Sequence, residues 1–161
     1  MQFYNNKYAN YILLLLIIIT ASIAYSPGLS GGFVFDDVSN ITSNPLVAMD
    51  ELSWVELKRA AFSMDSRPIS RASFGLNHLV GGYDPYGYKI VNLVIHIING
   101  ILVFVFSWLL IKALQRPDKS LDDYPAALFA GFVALAWTLH PINLTNVLYV
   151  VQRMNSLSGL F

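Results

Sequence analysis

The sequence predicts an all-α integral membrane protein with three or four transmembrane helices and a long external loop that contains short amphipathic helices. Three observations lead to this fold class. Hydrophobic residues make up 55% of the 161 residues and charged residues only 12%, whereas soluble domains are about 25% charged. Two uncharged apolar segments are each long enough to cross a bilayer. Residues that start and stop helices punctuate the polar segment between them.

The composition also excludes several classes of protein. The chain has no cysteine, which rules out disulfides, thiolate metal sites and cysteine catalysis. Its formal net charge is +0, so there is no electrostatic reason to expect a nucleic-acid partner. The predicted partner is therefore the lipid bilayer.

The first predicted span covers residues 8–25, with Lys7 on one side and the helix-breaking sequence at 26–28 on the other. A cleaved signal peptide is the alternative, with Lys7 as its basic region and residues 22–24 as a small-residue cleavage site. Both interpretations place the segment that follows outside the cytoplasm.

The external loop is predicted to run over residues 26–87. Ser53 and Glu56 form a capping-box pattern, which predicts a short helix through about residue 62. An apolar stripe on this helix is typical of a helix that lies on the bilayer surface.

A second helix in the loop is predicted for residues 69–80. Pro68 suits its first position, and the glycine pair at 81–82 would stop it. The sequence from Asp84 to Gly87 has the residues of a β-turn.

The second predicted span covers residues 90–111 and is uncharged but not wholly apolar. Asn92, His96 and Asn99 fall at spacings of four and three, which places them on one face of the helix. Polar groups inside lipid normally face protein or a wet cavity. This helix is therefore expected to pack against partners.

The loop at 112–125 contains Lys112, Arg116 and Lys119 and is predicted to be cytoplasmic by the positive-inside rule. The amino terminus is then also cytoplasmic. The corresponding membrane is the inner or plasma membrane of a bacterium, or the endoplasmic reticulum of a eukaryote.

The third predicted span covers residues 126–140, where small residues four apart permit close helix packing. His140 and Pro141 end or kink it at the external edge. A fourth span is expected to start near residues 146–161. Because neither a tail nor a closing charge follows it, the chain is expected to be the first part of a longer protein.

Charged and ionisable groups then gather at the external face: Asp36 and Asp37 after the first span, Arg67 and Arg71 in the loop, and His140 and Arg153 after the third. Carboxylates can deprotonate a hydroxyl or hold a divalent cation such as Mg²⁺ or Mn²⁺. Arginines can bind phosphate through their planar fork. Together these groups suit sugar transfer from a lipid-phosphate donor.

Each of these residues also has a structural interpretation. Adjacent aspartates are often solvated or capping residues, and the cytoplasmic Asp122 and Asp123 form the same dipeptide. His96 suits an interhelical hydrogen bond, and His140 suits a helix end. Arg67 and its neighbour Arg71 could equally contact lipid headgroups.

Five segments, in order along the chain, resemble signatures of the transmembrane-and-tetratricopeptide-repeat glycosyltransferases. They are residues 35–44 (sequence FDDVSNITSN), 67–78, 87–96, 139–141 and 150–155. Two positions depart from the family pattern: Gln152 replaces a small residue, and Lys89 replaces a usual histidine.

The resemblance implies a C-type glycosyltransferase membrane module, similar to the protein O-mannosyltransferases, that transfers the sugar with inversion of configuration at its anomeric carbon. The donor would be a polyprenyl-phosphate sugar and the acceptor a hydroxyl, which is expected to belong to a protein. Asp36 or Asp37 would be the general base or the metal-binding carboxylate, and Arg153 with Arg67 would bind the donor phosphate. Supporting positions would be Asn44, Asn92, His96 and His140.

The later spans and the tetratricopeptide repeats of that family are absent from these 161 residues, so the chain alone is expected to be inactive. The alternative function is a non-catalytic membrane assembly or transport subunit. The polar face of Asn92, His96 and Asn99 motivates that alternative.

Overall fold

The computed structural model describes residues 6–64, 66–114 and 123–160. Within these ranges every regular element is helical, which confirms the all-α prediction. The α-helices are α1 (Asn6–Tyr25), α2 (Trp54–Ala61), α3 (Pro68–Gly81), α4 (Pro85–Leu114), α5 (Asp123–Thr138), α6 (Leu144–Leu148) and α7 (Arg153–Ser158). Short 3-10 or π turns cover Ser26–Gly28, Val38–Thr42, Pro141–Asn143 and Val150–Gln152.

Helix α1 ends where predicted, at the turn that contains Pro27. One face of α1 is buried against the other helices, as shown by Ile17 and Ala21. At its end the Tyr25 hydroxyl donates a 2.9 Å hydrogen bond to the carbonyl of Thr138. These contacts make α1 part of the helix bundle.

Helices α1, α4 and α5 form the apolar bundle. The beginnings of α1 and α5 pack against the later part of α4, so α4 runs antiparallel to the other two. The shared core combines large and small side chains: Leu13, Ile17, Phe104, Ala127, Ala130 and Ala134. The small residues of α5 therefore do allow the close helix approach that the sequence predicts.

Among the described residues, two helical stretches are long and apolar enough to cross a membrane: Tyr8–Gly28 and helix α4. A third crossing results if Pro125–Thr138 and Pro141–Leu148, which meet at a bend of 51°, are counted as one broken span. The chain is thus a membrane protein. The region expected to start a fourth span is occupied, as far as residue 160, by the short helices α6 and α7, and that span stays a prediction.

The loop between α1 and α4 contains both helices predicted for it. The Ser53 hydroxyl accepts a 3.2 Å hydrogen bond from the Glu56 backbone N–H and so begins α2. Pro68 occupies the first turn of α3, and Gly82 ends that helix with a positive φ of 57°.

The β-turn predicted at residues 84–87 is wrong. Helix α4 already begins at Pro85, and the Asp84 carboxylate accepts a 3.1 Å hydrogen bond from the Tyr86 backbone N–H. Aspartate before proline is a helix-start signal as well as a turn signal. The apolar segment that follows decides in favour of the helix. Most of the predicted cytoplasmic loop, including Arg116 and Lys119, lies outside the described residues.

The contact at Gly100 gives a test of the bundle. A Cβ at this position would lie 2.5 Å from the Thr138 hydroxyl oxygen, whereas one at Gly81 would meet nothing within 4 Å. We therefore expect Gly100→Ala to lower the free energy of unfolding by about 1–3 kcal/mol, measured by thermal unfolding in detergent. Gly81→Ala is the control, and an equal effect of the two changes would contradict this packing.

Candidate active site

A buried lysine holds the segment that leads from α1 to the aspartate pair. The side chain of Lys89, on the first turns of α4, donates hydrogen bonds to the carbonyls of Gly28 at 3.3 Å and Gly31 at 2.7 Å. A Cβ at Gly31 would lie 2.9 Å from the Lys89 nitrogen, so a larger residue there would crowd the ammonium group. Lys89 thus fixes the chain just before the acids.

Tyr149 holds the turn on which the acids sit. Phe35 has a φ of 48°, a left-handed conformation that costs a non-glycine residue about 1–3 kcal/mol. Its ring meets the Tyr149 ring edge-on, with centroids 6.3 Å apart. The Tyr149 hydroxyl also accepts a 3.0 Å hydrogen bond from the backbone N–H of Asp36. The strained turn is therefore held from the segment that follows α6.

Asp37 is a buried acid with a structural role. Its side chain is 0% exposed, and its two oxygens accept hydrogen bonds from the backbone N–H groups of Val151 at 2.7 Å and Val34 at 3.1 Å. Burial raises the pKa of Asp37, and these N–H groups and the charge of Lys89 offset part of that rise. Asp37 therefore joins the loop after α1 to the segment before α7.

Asp36 differs from Asp37 in its exposure and in its hydrogen bonds. It is exposed, and its backbone carbonyl accepts hydrogen bonds from Ser39 at 3.2 Å and Asn40 at 2.8 Å. An accessible carboxylate on a fixed backbone can exchange protons with a bound ligand.

Arg153 lies two residues after Val151, which binds Asp37, and its side chain points into the protein. It is 0% exposed, and its Nε donates to the Asn92 side chain at 2.8 Å. Its Nη1 donates to Ser73 at 3.1 Å and Asn77 at 2.7 Å, and its Nη2 to the carbonyl of Tyr88 at 2.8 Å. Four of its five N–H donors are thus in use within the chain, and its phosphate-binding role stays a prediction.

Arg67 and Arg71 lie one helical turn apart at the start of α3. Arg67 is exposed and donates only to a weak acceptor, the sulfur of Met154, at 3.4 Å. Arg71 is 2% exposed, and its Nη2 donates a 3.0 Å hydrogen bond to the Asn40 side chain. Its Nε and Nη1 are buried without any hydrogen-bond partner. Burial, together with the charge of Arg67, lowers the pKa of Arg71.

The remaining predicted residues have local structural partners. Asn44 accepts a 3.2 Å hydrogen bond from the backbone two residues on and stabilises a turn. His140 accepts one of 3.2 Å from Ile142 and so marks the helix end, as its structural interpretation predicted. His96 contacts the Thr138 carbonyl at 2.9 Å, which confirms the interhelical hydrogen bond. In the described residues, none of the three is hydrogen-bonded to the aspartates.

The polar face of α4 is largely used within the chain. Asn92 donates to the backbone carbonyls of Val147 in α6 and Val150 after it, and Asn99 donates to the carbonyl of Ser156 at 2.9 Å. His96 and Asn99 also line an open cavity of about 450 Å³ beside Trp137. The expected partners of this helix face are therefore found mainly in the chain itself.

The donor set at the acids does not fit a divalent cation well. Among the described residues, no three His, Cys, Asp or Glu side chains are grouped so that they could hold a metal. Asp37 is buried, and each of its oxygens already accepts a hydrogen bond from a backbone N–H. The cation at Asp36 and Asp37 stays a prediction, and no step below depends on it.

The sequence predicts no specific role for several residues that contact Arg153 or the segment of the aspartates. Ser73 and Asn77 are four apart on α3, a spacing that places both on the face turned to Arg153. Lys89 could have been noticed as an ionisable residue beside an apolar segment. No signal in the sequence identifies Tyr149, because its role depends on a contact with Asp36, 113 residues away.

The fold and the site define an all-α membrane protein that holds an exposed acid and a buried acid beside arginines at one end of its helices. The chain is 32% identical to the human protein O-mannosyl-transferase TMTC4 over 88% of this chain and 20% of that protein. It is 26% identical to Drosophila melanogaster Tmtc3, over 97% of this chain and 19% of that protein. It is 29% identical to human TMTC2, over 85% of this chain and 16% of that protein.

These similarities place the chain in the TMTC-like family, whose named relatives are protein O-mannosyl-transferases. The chain spans about a fifth of the length of these curated relatives. No protein-family model matches the chain. No solved structure matches it either.

The two aspartates should respond differently to the same substitution. In Asp37→Asn, an amide N–H₂ replaces one of two oxygens that face backbone N–H groups, which we expect to cost about 1–3 kcal/mol of unfolding free energy. Asp36→Asn should leave the thermal midpoint unchanged, because that side chain is exposed. Equal destabilisation by both changes, measured in detergent, would show that the acids are not divided in this way.

Proposed function

We propose that the chain forms part of a membrane glycosyltransferase that moves mannose from a polyprenyl-phosphate donor to a hydroxyl group of a protein, with Asp36 as the general base. The observation that carries the proposal is the contrast between the acids. Both oxygens of Asp37 are occupied by backbone N–H groups, whereas Asp36 is exposed on a strained, held turn. The similarity to protein O-mannosyl-transferases supports a protein acceptor and mannose as the sugar.

In the proposed reaction the Asp36 carboxylate takes the proton of the acceptor hydroxyl. The acceptor oxygen then forms a bond to the anomeric carbon as the bond between that carbon and the phosphate oxygen breaks. The configuration inverts, and the phosphate leaves on its lipid with the electron pair of the broken bond. Tyr149 contributes by fixing the backbone of Asp36.

A lipid-borne donor suits the position of the acid. Asp37 links the loop after α1 to Val151, two residues before Arg153, so the acids and this arginine lie at the same end of the bundle. We place this end at the external face and the amino terminus in the cytoplasm, as the positive-inside rule favours. A phosphate at the membrane surface would then lie within reach of cationic side chains.

The alternative, a non-catalytic assembly or transport subunit, loses its main support. It rested on the polar face of α4, which was expected to bind other subunits. Asn92, His96 and Asn99 instead bond to groups of this chain. The glycosyltransferase proposal explains the acids as well, and the alternative does not.

The proposal predicts that Asp36→Asn lowers sugar transfer by about 100- to 10,000-fold, the usual contribution of a general base. The assay measures mannose transfer from a polyprenyl-phosphate donor by the complete gene product, whether that is this chain or a longer one. Asp50→Asn is the matched control, because Asp50 is an exposed acid of the same loop. Transfer by Asp36→Asn at the rate of the control would remove Asp36 from the mechanism.

A further inference from the structure

Arg71 is the most unusual charged group in the described part of the chain. A buried guanidinium normally forms an ion pair or uses most of its five N–H donors. Arg71 is 2% exposed and makes one hydrogen bond, to the neutral side chain of Asn40. Two of its three nitrogens have no partner. A cation left in this state destabilises the protein unless something else compensates its charge.

The other buried arginine shows what a structural arginine looks like in this protein. All three nitrogens of Arg153 donate hydrogen bonds, four bonds in total, and its guanidinium lies over the Phe74 ring at 4.7 Å. Arg71 is also shielded from solvent but lacks this set of acceptors. Burial alone therefore does not explain why Arg71 is unpaired.

Two further positive groups lie beside Arg71. Arg67 is close enough for its charge to act on Arg71, and its own guanidinium is held only by the Met154 sulfur. The second positive group is the N-terminus of α3, a helix of 14 residues that begins directly after Arg67 and has no side-chain cap. The N-terminus of a helix attracts anions. In the described residues the one ion pair is between Arg59 and Glu56 on α2, so no acid is paired with Arg67 or Arg71.

This positive cluster is linked to the candidate base. Asn40 accepts a hydrogen bond from Arg71 and donates one of 2.8 Å to the backbone carbonyl of Asp36. One side chain therefore separates Arg71 from the turn that carries the exposed acid. An anion bound by Arg67 and Arg71 would lie next to Asp36.

We propose that Arg71, with Arg67 and the N-terminus of α3, is a phosphate-binding site. On the proposed function, on which this assignment rests, its ligand is the phosphate of the lipid-linked sugar donor. Arg67 exchanges its weak contact with Met154 for the phosphate. The bound anion then supplies the charge and the acceptors that Arg71 lacks.

The first test compares two buried arginines without any ligand, using thermal unfolding of the full chain in detergent. Arg71→Met removes an uncompensated buried charge, so we expect an unchanged or higher midpoint. Arg153→Met removes four hydrogen bonds and leaves their acceptors unpaired, so its midpoint should fall. A fall for Arg71→Met as large as that for Arg153→Met would identify Arg71 as a structural residue and overturn the proposal.

The second test adds inorganic phosphate, a polyprenyl phosphate or the matching polyprenol. Both phosphates should raise the midpoint of the wild-type chain, and polyprenol should not. Arg71→Met should weaken the apparent affinity for polyprenyl phosphate by about tenfold or more, because charge-assisted hydrogen bonds are lost. Arg59→Gln, which removes one positive charge from α2 outside the site, should bind like wild type.

Three outcomes would contradict the assignment. Equal stabilisation of wild type and Arg71→Met by phosphate would show that the anion binds elsewhere, and no stabilisation of either would show that there is no site. Protection by inorganic phosphate but not by polyprenyl phosphate would exclude the lipid donor as the ligand. The dependence of sugar transfer on Asp36 is measured in a separate assay. Failure of the phosphate-binding proposal can therefore be told apart from failure of the proposed function.

Discussion

The hydrogen bond from Val151 to the carboxylate of Asp37 connects two segments that lie 114 residues apart in the chain. It fixes the loop after α1 against the segment between α6 and α7, and it does so from a position that solvent does not reach. The same carboxylate closes its own loop through Val34. Because Asp37 holds this geometry, its neighbour Asp36 can remain exposed while its backbone stays in place.

A layer of buried polar groups surrounds this contact at the end of the apolar bundle. Lys89 holds the chain before the acids, and Arg153 ties α7 to α3 and α4. Such groups are costly to bury, and each of these two is compensated by several acceptors. Arg71 breaks that pattern, which is why we assign it a ligand and not a structural role.

The sequence was sufficient for the elements that depend on local rules. Composition and apolar length predicted the membrane helices, and Ser53, Pro68 and Gly82 mark helix ends as expected. Local rules failed at Pro85, where turn and helix-start signals coincide and the following apolar segment decides.

The roles within the candidate site could be predicted only in part. The resemblance to a glycosyltransferase family identified the aspartate pair but left open which acid acts as the base. That choice depends on burial and on backbone N–H groups from Val34 and Val151, and the contact with Val151 is a tertiary one. Arg153 illustrates the same limit, because a sequence motif cannot show whether the donors of an arginine are already in use.

The most direct test of the central placement is the accessibility of single cysteines, which the absence of native cysteine makes straightforward. Val38→Cys and Asn155→Cys put exposed thiols beside the two joined segments, and Leu114→Cys puts one at the far end of α4. In sealed vesicles, a membrane-impermeant maleimide should label the first two from the same side and Leu114→Cys only from the other. Labelling of Val38→Cys and Asn155→Cys from opposite sides would contradict the account.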